Sequence, residues 1–287
     1  MYPASFEYHR AASVKDALAM LTRFGDDAKL LAGGHSLIPM MKLRLAQPAH
    51  LIDIGGIRDL AQIREDGGRI VIGGLATHHQ VATSALVKGK LGMLAECAAM
   101  IGDVQVRNRG TIAGSLAHSD PAADYPAAIL ALEAEMLVEG SGGARTIKAE
   151  EFFIDLMTTA VQQGQILTHV SIAPIAAGVG GAYLKHRQPA SGFATVGVAA
   201  LVALGPDGQC KRVRVGITGL GPKAFRAKAV EAALTGKAPA AIKDAAALAA
   251  DGIDALSDIH AAADFRSELA RVYTRRALEQ AVARAKA

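Results

Sequence analysis

The feature that most constrains this sequence is a short apolar run followed at once by two glycines. Residues 30–32 read Leu-Leu-Ala, which is typical of a buried strand. Gly33-Gly34 lets the backbone turn sharply and approach a ligand without a Cβ atom in the way. Ser36 then stands where a helix over residues 37–43 would begin, and we expect it to cap that helix. A strand, a glycine turn and a helix start together predict a concave row of backbone N–H groups that accepts phosphate oxygens.

A second stretch of small and hydroxyl-bearing residues lies at positions 109–124. It reads Arg-Gly-Thr-Ile-Ala-Gly-Ser-Leu-Ala-His-Ser-Asp-Pro-Ala-Ala-Asp. An isolated Gly-Gly pair is most often only a turn between two elements. Two such loops in one chain favour a ligand, because a diphosphate can then be held from both sides. We therefore predict that the two loops meet at one site.

Composition limits the class of protein. The chain has 287 residues, enough for two or three compact units, and 51% of them are apolar. Trp is absent and only 4% of residues are aromatic, so the core must be aliphatic and rich in alanine. The 30 glycines, many of them paired, predict many short elements joined by tight turns. The net charge of +4 is spread along the chain without aromatic interleaving, which argues against nucleic-acid binding.

Cysteine and histidine positions argue against a metal centre. Cys97 and Cys210 are far apart and form no C-x-x-C motif, so we expect no iron–sulfur cluster or structural zinc held by this chain. His78 and His79 are adjacent, and adjacent side chains on a helix diverge, so together with His118 they predict no metal site. The sequence shows no signal peptide and no membrane span, and we expect a cytoplasmic protein.

The hydrophobic pattern predicts short strands and helices in alternation, followed by a change of character after residue 176. We expect units over residues 1–55, 56–176 and 177–287, with the small segment 175–181 as a flexible boundary. In the last unit we predict strands over 182–184, 195–204 and 212–220, and helices over 225–234, 242–256 and 265–283.

Several polar residues could serve a ligand or only the fold. His35 is expected to fix the first turn or to meet the ligand. Asp124 could cap a helix, or its carboxylate could accept a hydrogen bond from a ribose or ribityl hydroxyl. Lys185, from its sequence context alone, is interpreted as a surface lysine, and Arg107 and Arg109 either are solvated or screen phosphate.

No familiar catalytic motif is present. The sequence lacks G-x-G-x-x-G after a strand, the P-loop pattern and G-x-S-x-G, which excludes the Rossmann, P-loop and α/β-hydrolase readings. It is therefore rich in features that hold a nucleotide and poor in acid–base machinery. An electron carrier needs a bound redox group and its orientation but no catalytic side chain.

The loops resemble those of a known family. The resemblance rests on four stretches: Ala32-Gly-Gly-His-Ser36, its continuation Leu-Ile-Pro-Met-Met-Lys-Leu-Arg44, Arg109-Gly-Thr-Ile-Ala-Gly-Ser115 and Asp120-Pro-Ala-Ala-Asp124. They are similar to the corresponding loops of the FAD-binding medium subunits of the molybdenum hydroxylases, the xanthine dehydrogenase family. The resemblance runs essentially from end to end and is greatest to the carbon monoxide dehydrogenase type. It implies an α+β fold, in which two α/β subdomains of the PCMH type clasp FAD. A three-stranded antiparallel sheet with a helical bundle then follows.

The resemblance also implies a set of FAD-binding residues, while the residues themselves lead us to expect no catalytic residue and no metal ligand in this chain. That set is Leu30, Leu31, Ala32, Gly33, Gly34, His35, Ser36, Leu37, Ile101, Thr111, Ala113, Gly114, Ser115, His118, Asp124, Leu167 and Lys185. The second loop departs from the usual Thr-Ile-Gly-Gly-Asn of the family at Ala113 and Ser115. Ala113 suits a tight turn only if its φ is negative. Phe193 is expected to shield the flavin.

The implied function is an electron relay. A molybdenum-cofactor large subunit oxidises the substrate, an iron–sulfur small subunit carries single electrons, and FAD in this chain passes them to an external acceptor such as a quinone. The implied assembly is a dimer of heterotrimers. Carbon monoxide, aldehydes and N-heterocycles are all candidate substrates. A stand-alone flavin dehydrogenase and a nucleotide-binding regulatory or assembly protein remain alternatives.

Overall fold

The N-terminal part of the chain forms a parallel sheet with one helix packed on it. The computed structural model describes residues 1–287. The sheet has the strand order β1-β3-β2, and both pairings are parallel. Ser13 caps the first helix by accepting a hydrogen bond from the Asp16 amide, and Ala17 and Leu21 on that helix are buried. The elements are β1 (Glu7–Arg10), α1 (Val14–Phe24), β2 (Ala28–Leu31), α2 (Leu37–Lys42) and β3 (His50–Asp53).

The middle part is an antiparallel sheet covered by short helices. Its strand order is β4-β5-β10-β6-β7, and the helices pack their Ala, Leu and Ile side chains into one large core. The elements are β4 (Ile63–Asp66), β5 (Arg69–Gly73), α3 (His78–Thr83), α4 (Ala85–Lys90), α5 (Gly92–Ala99), α6 (Val104–Arg109), α7 (Ile112–His118), α8 (Tyr125–Ala131), β6 (Glu135–Gly140), β7 (Gly143–Lys148), α9 (Ala149–Phe152), β8 (Phe153–Asp155), β9 (Thr158–Thr159) and β10 (Ile166–Ile172).

The C-terminal part is an antiparallel sheet of three long strands and one short edge strand, packed against a long helix. The closing helix lies along the first two strands, where Gly180 permits close contact: a Cβ atom there would lie 1.9 Å from the Ala281 carbonyl oxygen. The elements are β11 (Val179–Arg187), β12 (Ala194–Leu204), β13 (Cys210–Thr218), β14 (Phe225–Arg226), α10 (Lys228–Leu234), α11 (Ile242–Ala246) and α12 (Ala263–Ala285).

Some predicted elements of this part are wrong in extent. The helix predicted over 225–234 begins instead with the edge strand β14, because Phe225 and Arg226 pair with β13. The helix predicted over 242–256 ends at Ala246, continues as a 3₁₀ turn over Ala247–Ala250 and is not helical beyond it. The segment 175–181 is not simply a flexible boundary, since β11 begins within it at Val179.

The middle and C-terminal parts are joined by close backbone packing. Helix α8 lies against β13, where a Cβ atom on Gly216 would lie 2.1 Å from the Ala127 carbonyl oxygen. Thr218 donates to the carbonyl oxygens of Pro121 and Ala123, both at 2.8 Å. This contact fixes residues 121–124 relative to the C-terminal sheet. The division of the chain at residues 55 and 176 stays a prediction.

No helix combines the length and the apolar character that a membrane crossing requires.

Candidate functional site

The two glycine loops predicted from the sequence meet in space. Gly33 lies so close to the second loop that a Cβ atom on it would be 2.2 Å from the Arg109 carbonyl oxygen. Gly34 has a φ of +76°, which favours glycine. Both loops line one cleft of about 550 Å³, a size suited to a cofactor. The close backbone contact explains why the first loop needs Gly at position 33.

The first loop presents free donors to this cleft. The backbone N–H groups of Gly33, Gly34 and His35 donate to no carbonyl or side chain of the protein. Ser36 does not cap α2, contrary to the prediction: its backbone is in the α region and its hydroxyl makes no hydrogen bond. The hydroxyl and the three amides are therefore available to an anion such as a phosphate.

The second loop is built differently, because its amides are used internally. Thr111 caps α7 by accepting from the Gly114 amide at 3.1 Å, while the Ile112 and Ala113 amides donate to the carbonyls of Ala76 and Gly74. Ala113 is helical with negative φ, so alanine fits here without strain. The second loop thus supports the first and adds side-chain hydroxyls rather than a second row of free amides.

Asp124 forms the centre of a buried polar group in the cleft wall. Its carboxylate accepts a hydrogen bond from the Tyr183 hydroxyl at 2.5 Å and forms an ion pair with the Lys185 ammonium at 2.9 Å. Burial raises the pKa of the Asp124 carboxyl, and the Lys185 ammonium and the Tyr183 hydroxyl oppose that rise. The side chain does not cap α8, and the interpretation of Lys185 as a surface residue is wrong, because only 2% of its side chain is exposed.

The cleft gathers nearly all the residues that the sequence assigned to FAD. Leu31 and Lys185 are the two that do not line it. Lys185 lies behind the wall, where it also donates to the Gly192 carbonyl at 2.7 Å. Arg107 is half-buried and donates through Nη1 to the carbonyls of Ile101 and Gly102, so that nitrogen serves the fold. The lining members of the predicted set are Leu30, Ala32, Gly33, Gly34, His35, Ser36, Leu37, Ile101, Thr111, Ala113, Gly114, Ser115, His118, Asp124 and Leu167.

Sequence reasoning missed other parts of the lining. Gly74 follows β5 and forms with Gly73 a Gly-Gly pair like that of the first loop, which was a usable sequence signal. A Cβ atom on Gly74 would lie 2.7 Å from the Leu167 carbonyl oxygen. His78 also lines the cleft, and its buried Nδ1 has no hydrogen-bond partner. Burial, together with the nearby His35 and Arg107, lowers the pKa of His78 to about 4, so its imidazole is neutral at neutral pH.

Part of the cleft wall comes from the C-terminal part of the chain. Ser191, Gly192 and Phe193 line it, and Gly192 has a φ of +75° and lies beside Gly102. The ring of Phe193 is half-exposed at this wall. Segments from all three parts of the chain therefore line one site, which combines backbone donors with apolar side chains such as Leu167 and Ile101.

This arrangement fits a dinucleotide that carries a flat aromatic ring. Free amides and hydroxyls suit a diphosphate, and apolar walls suit the ring system. The one ion pair of the cleft wall joins Asp124 to Lys185, and neither Lys185 nor Tyr183, the two side chains that contact the Asp124 carboxylate, lines the cleft. The lining residues form no hydrogen-bonded acid–base pair with one another of the kind that proton-transfer chemistry needs. The site is thus equipped to bind and orient a redox cofactor rather than to supply a catalytic acid or nucleophile.

The chain belongs to the family described as "FAD binding domain in molybdopterin dehydrogenase", which matches residues 4–174. A second family, the "CO dehydrogenase flavoprotein C-terminal domain", matches residues 181–281. The chain is therefore an FAD subunit of an oxidoreductase of the molybdenum hydroxylase family, and the predicted fold class and cofactor are confirmed.

Particular relatives narrow this class. The carbon monoxide dehydrogenase medium chain of Hydrogenophaga pseudoflava is 41% identical over 99% of both chains. The 6-hydroxypseudooxynicotine dehydrogenase complex subunit alpha of Paenarthrobacter nicotinovorans is 36% identical, over 100% of this chain and 97% of the relative. A solved structure of carbon monoxide dehydrogenase from Hydrogenophaga pseudoflava superposes with a TM-score of 0.96 at 43% identity, covering 99% of each chain.

Proposed function

We propose that this chain holds FAD in a multi-subunit molybdenum hydroxylase and relays electrons from a partner's iron–sulfur clusters to an external acceptor such as a quinone. The observation that carries the proposal is the shared cleft, whose lining combines the free amides of Gly33, Gly34 and His35 with apolar side chains. FAD supplies the ability to collect single electrons and release two. The residues of the chain bind and orient it.

Each part of the cleft has a role in that binding. The amides of residues 33–35 and the hydroxyls of Ser36 and Ser115 would hold the diphosphate. Asp124 would accept from a sugar or ribityl hydroxyl while Tyr183 and Lys185 keep its carboxylate in place. Leu167 and Ile101 would exclude water from the ring.

Phe193 would cover one face of the ring. Its side chain lines the cleft and is half-exposed, so it has room to pack on a flat ligand. The neighbouring Gly192 carbonyl accepts from buried Lys185, which anchors the backbone beside it. The positively charged lysine would therefore act on the ring only indirectly, through the position of this segment.

The partners are proposed from the same chemistry. Both cysteines, Cys97 and Cys210, are buried and separate, so the iron–sulfur clusters would belong to a small subunit and the molybdenum cofactor to a large one. We propose a dimer of such heterotrimers, located in the cytoplasm, where free thiols are the rule. Carbon monoxide is the first substrate to test because of the 41% identical relative, and substrates of the 6-hydroxypseudooxynicotine type come next.

The test compares the isolated full-length chain with the co-purified complex. We expect the isolated chain to bind one FAD, to show a flavin spectrum and to be reduced by dithionite but not by carbon monoxide, aldehydes or N-heterocycles. The complex should bleach the flavin when its substrate is added. Reduction by substrate without partners would instead favour a stand-alone dehydrogenase, and a protein that stays colourless after FAD addition would favour a regulatory or assembly role.

A further inference from the structure

A cluster of three potential metal ligands lies on the N-terminal sheet, away from the cleft. It consists of Glu7, His9 and His50, none of which lines the cleft. All three strands of this sheet are parallel, and the cluster lies at the start of β3, whereas the first glycine loop follows the end of β2. We propose that this cluster binds a divalent transition-metal ion of the zinc class.

The sheet itself brings these side chains together. Glu7 and His9 are two residues apart on β1, so their side chains point to the same face. The parallel register places Glu7 directly opposite His50 on β3. Three ligating side chains from two strands therefore share one face, although 41 residues separate the two histidines in sequence.

An aromatic ring fixes the orientation of both imidazoles. Phe24, at the end of α1, stacks on His50 with ring centroids 4.0 Å apart and on His9 at 4.6 Å. The two histidine side chains are only 22–23% exposed, whereas Glu7 is 72% exposed. The rings are thus held before any ion binds, which lowers the entropic cost of binding.

The distances among the three ligand atoms match a tetrahedral site. His9 Nε2 and His50 Nδ1 are 3.1 Å apart. The Glu7 Oε2 atom lies 3.4 Å from His50 Nδ1 and 3.7 Å from His9 Nε2. With zinc–ligand bonds near 2.0–2.2 Å, ligand atoms of a tetrahedral ion lie roughly 3.3–3.5 Å apart. Shifts of a few tenths of an ångström, in the exposed glutamate and between the two imidazoles, would bring all three distances into this range.

The donor set indicates the class of metal and its role. Two imidazoles and one carboxylate suit Zn²⁺ better than Ca²⁺ or Mg²⁺, which prefer oxygen ligands throughout. Three protein ligands leave one position for water. Because the ligands join β1 to β3, a bound ion would hold the edge strand of the sheet and would not take part in electron transfer. The prediction that this chain holds no metal rested on other histidines.

The test uses Co²⁺ as the probe on the full-length chain, with Zn²⁺ as competitor. We expect one equivalent of Co²⁺ to bind, to give the visible absorption of a tetrahedral site and to be displaced by Zn²⁺. The variants His9→Phe and His50→Phe keep a ring against Phe24 while removing one ligand, and Glu7→Gln changes only an exposed side chain. Each should weaken Co²⁺ binding at least about tenfold, since loss of even an outer-sphere partner costs roughly 10–100-fold.

The matched control is His79→Ala, which removes an exposed histidine outside the cluster. It should leave the Co²⁺ affinity and spectrum unchanged, and far-UV circular dichroism should show that all variants are folded. If one equivalent of Co²⁺ does not bind, or if the cluster variants and the control bind it equally, the proposal is overturned. The two imidazoles are then only a hydrogen-bonded pair. FAD binding is scored separately by its own absorption.

Discussion

Replacing Lys185 by Met tests the buried ion pair in the cleft wall. The Lys185 and Asp124 side chains are only 2% and 4% exposed, and their charged atoms are 2.9 Å apart. Removing one partner of such a pair costs about 3–5 kcal/mol, because the remaining charge stays buried without its counter-ion. That loss is a large part of the roughly 5–15 kcal/mol that stabilises a typical domain. We therefore expect Lys185→Met to unfold at a much lower urea concentration.

The deficit should depend on pH with a definite sign. Burial already raises the pKa of the Asp124 carboxyl above its ordinary value, and Lys185 opposes this rise. Without the ammonium, the folded-state pKa rises further above the unfolded value, so the folded variant binds a proton more readily than the unfolded chain. The stability lost at pH 7.5 should be recovered in part as the pH falls toward 5. Wild-type protein should show a smaller gain from this carboxyl, because the Lys185 ammonium limits the rise of its pKa.

The assay is urea unfolding of the full-length chain, followed by far-UV circular dichroism at both pH values. The double variant Lys185→Met/Asp124→Asn should regain most of the lost stability, because it leaves no unpaired charge. Glu268→Gln is the control, since it breaks an exposed pair with Arg271 at 3.6 Å and should cost less than about 0.5 kcal/mol. A Lys185→Met variant within about 1 kcal/mol of wild type at pH 7.5 would refute the reasoning.

Three further outcomes follow from the structure. Gly33→Ala should weaken FAD binding at least about tenfold, because the new Cβ atom would lie 2.2 Å from the Arg109 carbonyl oxygen and would push the first loop away from it. Gly89→Ala has open space around its Cβ atom and should leave FAD binding unchanged. Burial lowers the pKa of His78 to about 4, so the folded protein resists protonation of this imidazole. The folding stability present above pH 6.5 should therefore fall by up to about 3 kcal/mol as the pH falls toward 4. An NMR titration of the His78 imidazole with a pKa near 6.5 would contradict this. Arg266→Met should lower the free energy of unfolding in urea by roughly 2–4 kcal/mol, because the carbonyl oxygens of Thr195 and Gly219 lose the guanidinium that donates to them. A loss below about 1 kcal/mol would show that these carbonyls find other partners.

Local chemistry made much of the fold predictable. The apolar run at 30–32 and the glycines after it required a strand and a turn, and the structure has β2 ending at Leu31 with Gly34 at positive φ. The long helix predicted over 265–283 is present as α12, whose buried residues recur at helical spacing. Such elements depend on residues within a few positions of each other, so a single sequence carries the information.

Features that depend on residues far apart in the sequence were harder to predict. Lys185 has nothing near it in sequence to indicate burial, and its partner Asp124 is 61 residues away. The edge strand β14 forms because Phe225 and Arg226 pair with β13. The helix start predicted at Phe225 from the local sequence was therefore wrong. In the site, the Ile112 and Ala113 amides of the second loop donate to the carbonyls of Ala76 and Gly74. These carbonyls come near the loop only when the middle sheet has folded, so the sequence could not reveal the contact.

The anchoring of Gly192 by Lys185 has a consequence for ligand exchange. The segment that carries Phe193 lines the cleft and belongs to the C-terminal part of the chain. It is tethered to the middle part through the buried Lys185 ammonium, which donates both to the Gly192 carbonyl and to the Asp124 carboxylate. Local opening of that segment must break this tether, so its free energy sets how often the cleft is uncovered. The residence time of a bound cofactor should therefore follow the stability of the tether rather than the strength of its own contacts alone.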